Sequence, residues 1–323
     1  MSIESAILGF IFDIDNWAKD SLVNNMNYPA VKIETDLVYD ESNPVVCTMD
    51  LLWNPDSKKY DKYPVVLNVH GGGWIIGDKM NSIGMCKQFA DGGCFVVNIN
   101  YGMPEKANPF FEKNDPKKSH GKEYLWPVQA HHIYAAMKWI AANADKYNLD
   151  LKNVFISGDS AGSHLAAVGA TFNSNPEYAK ILGLPEEMPF KLKGSLQFCG
   201  FYNLDTFWGF DMKKIPIART MLRDLMGRKD PENDPSYKFT NPIPFVTEKY
   251  PRAMIISGKN DVMTHGQSDL FQMRLADLGK NYVRYNSEAL LSLHDYQILS
   301  FLKCARDCMA AASAFIDETV QKF

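Results

Sequence analysis

Short, almost wholly apolar runs that stop at glycine, serine or asparagine recur along this chain, with helical repeats between them. Tyr63 to His70 reads Tyr-Pro-Val-Val-Leu-Asn-Val-His and stops at three glycines, and Cys94 to Asn100 repeats the signature. Asn153 to Ser157, Leu192 to Cys199 and Arg252 to Ser257 are of the same kind, and Tyr282 to Tyr285 adds a further strand. Runs this short and apolar belong to strands buried on both faces. Between them, Pro127 to Tyr147 carries Ile133, Ala136, Met137 and Ile140 at helical spacing, with Pro127 suited to the first turn. Ala161 to Phe172, Gln267 to Leu278 and Tyr296 to about Val320 are the other expected helices. Parallel strands need crossovers, and the crossover helices land on the faces of the sheet. Such alternation therefore demands a mainly parallel sheet covered on both sides. Val31 to Tyr39 and Cys47 to Trp53, ahead of the alternation, read as antiparallel neighbours near a sheet edge.

Two segments interrupt the pattern. Residues 103–126, rich in Pro, Lys, Glu and Asn, read as a solvated loop, and residues 203–250 as one or two helices with an irregular return. One domain over 1–323 fits better than two, with 203–250 as an inserted cap and 1–30 as an N-terminal cap region. Ile3, Ile7, Phe10, Ile14 and Trp17 recur at helical spacing and predict an amphipathic helix over residues 3–25. Its stripe packs on the body, with roofing of a pocket as a second role. A chain of 323 residues can bury a core without staples. Its six cysteines show neither CxxC nor paired Cys/His spacing, which predicts reduced, buried thiols and no metal. With 34 basic against 38 acidic residues, the net charge of -4 gives no general attraction to nucleic acid. The N-terminal apolar run lacks a basic flank and soon meets Asp13 and Asp15, and no stretch is long enough to span a membrane. A cytoplasmic location is expected.

Chemistry enters with Gly158-Asp159-Ser160-Ala161-Gly162, which closes one apolar strand and opens a small-residue helix. A sharp strand-to-helix turn pushes the Ser160 hydroxyl above the sheet, and glycines on either side avoid collisions with the neighbouring strand and helix. The helix N-terminus offers free N–H groups where an oxyanion would form. His70-Gly71-Gly72-Gly73-Trp74 follows another strand, and its glycines leave backbone N–H groups bare. Gly72, Gly73 and Ala161 are the expected oxyanion donors, with Gly71 a weaker candidate. His70 reads as a brace for the loop. A phosphate cradle is disfavoured, because neither GK[ST] nor GxGxxG is present.

A nucleophilic serine needs a base and an orienting acid, in the chain order Ser, acid, His for this topology. Asp261 follows the strand Arg252 to Ser257, and His294 follows the next strand. Both fall beyond strand carboxyl ends, where ligand chemistry gathers in open α/β sheets. His265 is the rival base and Asp205 the backup acid, while Asp295 is expected to point away from the site. Trp74, Asp159, Phe207 and Trp208 are the candidate substrate-binding residues. With Phe210, the cap aromatics suggest an apolar or sugar-stacking pocket, or else the core of the cap itself.

Taken together, these motifs resemble the α/β-hydrolase superfamily, and within it the hormone-sensitive-lipase-like carboxylesterases and acetyl esterases. Trp126-Pro127 before a helix bearing Lys138-Trp139 adds to the likeness, which runs from about Val31 onward. The resemblance implies an α/β-hydrolase fold: a mostly parallel eight-stranded sheet with helices on both faces and a small helical cap. It also implies a cofactor-free serine hydrolase of small or medium acyl esters, including acetyl esters of carbohydrates, with a homodimer among the options. This chain departs from the family at Ser163, where a second glycine is usual, and at Tyr101-Gly102 in place of Tyr-Arg. It departs again at Asp261-Val262-Met263-Thr264-His265-Gly266, and at His294-Asp295-Tyr296 in place of His-Gly-Phe. No catalytic group is lost, but substrate preference does not transfer. An arylformamidase or other amide hydrolase with the same triad, and a non-catalytic binding member of the fold, are the alternatives.

Overall fold

The computed structural model describes residues 27–105, 120–207, 217–264 and 266–322. The helix expected over 3–25, Trp208, Phe210, His265 and the side chain of Phe207 lie outside the described residues. Eight strands are numbered along the chain: β1 (Lys32–Val38), β2 (Thr48–Trp53), β3 (Tyr63–Val69), β4 (Phe95–Ile99), β5 (Leu149–Asp159), β6 (Gly194–Phe198), β7 (Arg252–Gly258) and β8 (Tyr282–Ser287). They form one sheet in the order β1-β2-β4-β3-β5-β6-β7-β8. Pairing is antiparallel at β1–β2 and β2–β4 and parallel from β4 to β8. This is the α/β-hydrolase architecture.

Side-chain alternation explains why β3 must be apolar throughout. Val65, Leu67 and Val69 enter the core on one face, and Val66 enters the core on the other. The first face is covered by α2 (Val128–Ala142), α3 (Ala161–Ser174) and α7 (Gln267–Asp277), numbered after α1 (Ile83–Asp91). The second is covered by α1 and α8 (Lys303–Lys322), through Cys86, Phe89, Met309 and Phe315. Between α3 and α7 the chain adds α4 (Pro176–Ile181), the short α5 (Leu204–Phe207) and α6 (Ile217–Met226). Among the described residues, no helix is long and apolar enough to cross a membrane.

One helix was not expected, and two expectations change. Helix α1 buries Ile83, Gly84, Met85, Cys86, Phe89 and Ala90 and turns Lys87, Gln88 and Asp91 towards the surface. The last helix begins at Lys303 rather than Tyr296, since residues Tyr296–Ile298 form a 3-10 turn that tucks Tyr296 and Ile298 into the core. Finally, the ends of the 103–126 segment are not solvated. Met103, Tyr124 and Trp126 are buried, and Met103–Pro104 pairs in parallel with His120–Gly121.

Candidate active site

Strand register alone brings the two glycine-rich turns together. Val69 of β3 pairs with Gly158 of β5, so His70-Gly71-Gly72-Gly73 and Asp159-Ser160 leave the sheet side by side. Ser160 then sits between β5 and α3 at φ +52°, a left-handed conformation that a side-chain-bearing residue rarely adopts. Its own N–H is held by the carbonyl of Phe198 at 2.9 Å, which leaves the hydroxyl as the projecting group.

Across the sheet edge, His294 Nε2 lies 2.9 Å from Ser160 Oγ. Its Nδ1 lies 3.0 and 3.1 Å from the two carboxylate oxygens of Asp261. A carboxylate only accepts, so Nδ1 carries the proton and Nε2 presents its lone pair to the hydroxyl. Asp261 is itself fixed, accepting from the N–H groups of Met263 and Thr264 at 3.0 and 3.1 Å and from Thr264 Oγ1 at 2.5 Å. Burial opposes its ionisation, but the facing His294 and the bonds from Thr264 outweigh burial and hold the carboxyl below its ordinary range. Asp205, the backup acid, is exposed on α5.

The glycine loop shows which of its amides are available. Gly71 N–H donates to Asp159 Oδ2 at 3.2 Å, which withdraws it from any oxyanion role. Gly72 and Gly73 take φ +114° and +60°, and a Cβ on Gly72 would collide with the carbonyl oxygen of Ile76. Ala161 is the first residue of α3, where an amide has no intrahelical acceptor. His70 does brace the loop: its ring stacks on Tyr101 at 4.3 Å, and its Nδ1 meets the Gly71 carbonyl at 2.7 Å.

Two expected substrate contacts are corrected. Trp74 is fully buried, its indole N–H donating to His164 Nδ1 at 3.0 Å, so it backs the loop instead of lining open space. Asp159 is 1% exposed and serves Gly71 from beneath. A third correction concerns Asp295, which points inward: its Oδ2 lies 3.4 Å from His294 Nε2.

Other supports were not anticipated. Because His164 Nδ1 accepts from Trp74, its Nε2 must carry the proton that is donated to the Thr240 carbonyl at 2.6 Å, tying α3 to the 203–250 insertion. The same insertion reaches the loop through Met221 of α6, whose sulfur lies 2.6 Å from where a Cβ on Gly73 would stand. Just beyond the loop, buried Lys79 places its ammonium 2.5 Å from Asp50 and 2.9 Å from Asp36, anchoring the chain to β1 and β2. Among the described residues, Cys199, His294 and Asp295 form the one potential metal cluster. The Cys199 thiol is fully buried and pushed well up by burial, which suits a protonated thiol rather than a ligand.

His164 and His132 give a pH prediction for stability. Burial lowers both to about 4, and each Nδ1 accepts a bond, from Trp74 and from the Gly102 N–H. Unfolding restores their ordinary value near 6.5, so between pH 6.5 and 4 the unfolded chain binds more protons. Stability is therefore present in full above pH 6.5 and falls on acidification, by up to about 3 kcal/mol for each histidine. Guanidinium midpoints measured across this range should drop, and His164→Gln should flatten the slope. An unchanged slope would show that His164 does not stay neutral in the folded protein.

A hydroxyl facing a correctly oriented imidazole, beside helix-start and loop amides, can attack an electrophilic carbon and accommodate the resulting negative oxygen. The profile of the BD-FAE family matches residues 49–275, more than half of the chain. The chain belongs to the BD-FAE family. Esterase LipQ of Mycobacterium tuberculosis is 24% identical to this BD-FAE chain over 239 residues, covering 73% of the chain and 51% of the relative. Arylacetamide deacetylase of Oryctolagus cuniculus is 33% identical over 107 residues, 32% of this chain and 23% of that one. Among solved structures, esterase B from Lactobacillus rhamnosis superposes with a TM-score of 0.80 at 18% identity, over 99% of this BD-FAE chain and 98% of that one. The chain spans about half the length of LipQ.

Proposed function

We propose that this BD-FAE protein is a serine carboxylic-ester hydrolase acting on small or medium acyl esters, including acetyl esters of carbohydrates. The observation that carries the reading is the relay Ser160 Oγ, His294 Nε2, His294 Nδ1, Asp261, with both links near 3 Å. Ser160 attacks the ester carbonyl as Nε2 takes its proton, and the C–O⁻ formed is held by the N–H groups of Gly72, Gly73 and Ala161. Collapse breaks the C–O bond to the alcohol, which leaves with the proton from Nε2. Water repeats the sequence on the acyl-enzyme, releasing the acid and restoring Ser160. Asp261 keeps the imidazole in the required tautomer and balances the imidazolium charge. The 203–250 insertion acts as a cap over this edge, in keeping with its contacts to Gly73 and His164. Relatives and neighbours bearing the name esterase support this assignment. The arylacetamide deacetylase likeness favours amides as a second substrate class for the same residues.

The assay offers p-nitrophenyl acetate and butyrate, an acetylated xylo-oligosaccharide and N-formylkynurenine, with an alkyl phosphonate as a covalent probe. Ester turnover and a single phosphonyl group on Ser160, located by peptide mass spectrometry, are expected. Failure of every substrate and of the probe would point to a binding protein, and turnover of the formamide alone to an amidase.

A further inference from the structure

Gly72, Gly73 and Trp74 follow one another with φ of +114°, +60° and +66°. The Gly72 carbonyl closes this bend, accepting from the N–H groups of Ile75 and Ile76 at 3.2 and 3.0 Å. Glycine suits the first two positions, but a tryptophan in this region of backbone space is disfavoured and needs an anchor. The indole supplies it. Fully buried Trp74 donates through Nε1 to Nδ1 of fully buried His164 at 3.0 Å. His164 lies one turn along α3 from Ser160, whose carbonyl accepts the His164 N–H at 3.2 Å. The loop is thus referenced to the helix that carries the serine.

A single proton decides whether the anchor holds, because a neutral imidazole has one N–H and one lone pair. The Thr240 carbonyl, 2.6 Å from Nε2, can only accept, so it fixes the proton there and leaves Nδ1 to accept from the indole. Without that carbonyl the other tautomer is open, and its Nδ1–H would face the indole N–H, donor against donor. Met221 of the same insertion packs against Gly73, so the insertion bears on the loop at both points. We propose that His164 is a positioning residue: acting through Trp74, in the tautomer that Thr240 imposes, it sets the Gly72 and Gly73 amides where the oxyanion forms. This rests on the hydrolase reading given above. Displacing such donors by about 1 Å can cost about 10²-fold in rate, whereas ground-state binding depends on them far less.

The test compares trifluoromethyl butyl ketone with methyl butyl ketone as inhibitors of p-nitrophenyl acetate hydrolysis. With the first, Ser160 Oγ bonds to the carbonyl carbon, its proton passes to His294 Nε2, and the carbonyl oxygen becomes an oxyanion. The second binds without reacting, so the ratio of the two inhibition constants reads the oxyanion site and does not depend on how much of a preparation is folded. Trp74→Phe keeps a ring and removes the donor. It should cut the advantage of the trifluoromethyl ketone at least about tenfold and lower kcat, with KM within about twofold of wild type. His164→Leu should match it, and His164→Gln, whose amide can both accept and donate, should recover most of the loss. Nitrogen NMR of the imidazoles, assigned by the signal missing in His164→Gln, should place the His164 proton on Nε2. An unchanged ratio in Trp74→Phe, or a His164 proton on Nδ1, would overturn the proposal while wild-type ester turnover leaves the hydrolase reading standing. Wild type inert towards p-nitrophenyl acetate and not phosphonylated on Ser160 would remove the hydrolase reading, and this proposal with it.

Discussion

Replacing Ser160 with alanine is expected to lower kcat/KM for p-nitrophenyl acetate by at least about 10⁴-fold, and to abolish phosphonate labelling. The change removes one oxygen from a residue whose backbone is already held by Phe198 and by α3, so the thermal midpoint should hardly move. His294→Ala should cost a similar factor, because a neutral hydroxyl without a base is a poor nucleophile. Asp261→Asn is a different experiment. The amide can donate to Nδ1 and so favours the wrong tautomer, with the proton on Nε2 facing Ser160. A loss near 10⁴-fold is expected, with KM little changed. Groups that act as a unit lose their effect together, so Ser160→Ala combined with His294→Ala should be no slower than either alone. Steady-state rates of wild type and the four variants, each normalised to the concentration of folded protein, decide the matter. Retention of more than a tenth of the activity in Ser160→Ala would take the nucleophile from Ser160, and additive losses would mean that the two residues act separately.

What could be read from the chain, and what could not, divides along the range of the physical constraint. The serine turn and the glycine loop are local demands on backbone geometry, so five consecutive residues around each are enough to see them. The relation of Asp261 to His294 spans 33 residues, yet both follow strands whose apolar runs are themselves visible, so parallel topology delivers them to one edge. Trp74 and Asp159 are buried for reasons that spacing does not carry. Trp74 takes φ +66°, which turns its indole inward to His164, and Asp159 lies beneath Gly71; neither direction is encoded in spacing. The link from His164 to the Thr240 carbonyl joins residues 76 apart through an irregular insertion, where no periodicity exists to align them. Asp295 stands out in the sequence only against the His-Gly-Phe that the resemblance implies. Its left-handed φ is one that Asp tolerates.

The second large effect is structural, and it comes from the smallest possible change. Gly162 lies in the first turn of α3, and its φ is not in the left-handed region, so intrinsic propensity favours alanine there by roughly 1 kcal/mol. Gly162→Ala is nevertheless expected to destabilise the protein by more than about 4 kcal/mol, or to prevent soluble expression. A Cβ at this position would collide with the carbonyl oxygen of Val69 and lie 2.5 Å from that of His70. Both are backbone atoms at the end of β3, a strand hydrogen-bonded on both sides, and cannot swing aside as a side chain could. Gly279 provides the contrast. It has φ +63° but nothing within 4 Å of an added Cβ, so Gly279→Ala should cost only about 1 kcal/mol, the strain of a left-handed alanine. Guanidinium unfolding of both variants separates collision from conformational strain. A Gly162→Ala protein within 1 kcal/mol of wild type would show that α3 and β3 can part without penalty. The same contact sets the distance between the Ala161 amide and the amides of Gly72 and Gly73. Any displacement of α3 that relieves the collision must therefore widen the proposed oxyanion site, and activity should be lost even where some of the variant remains folded.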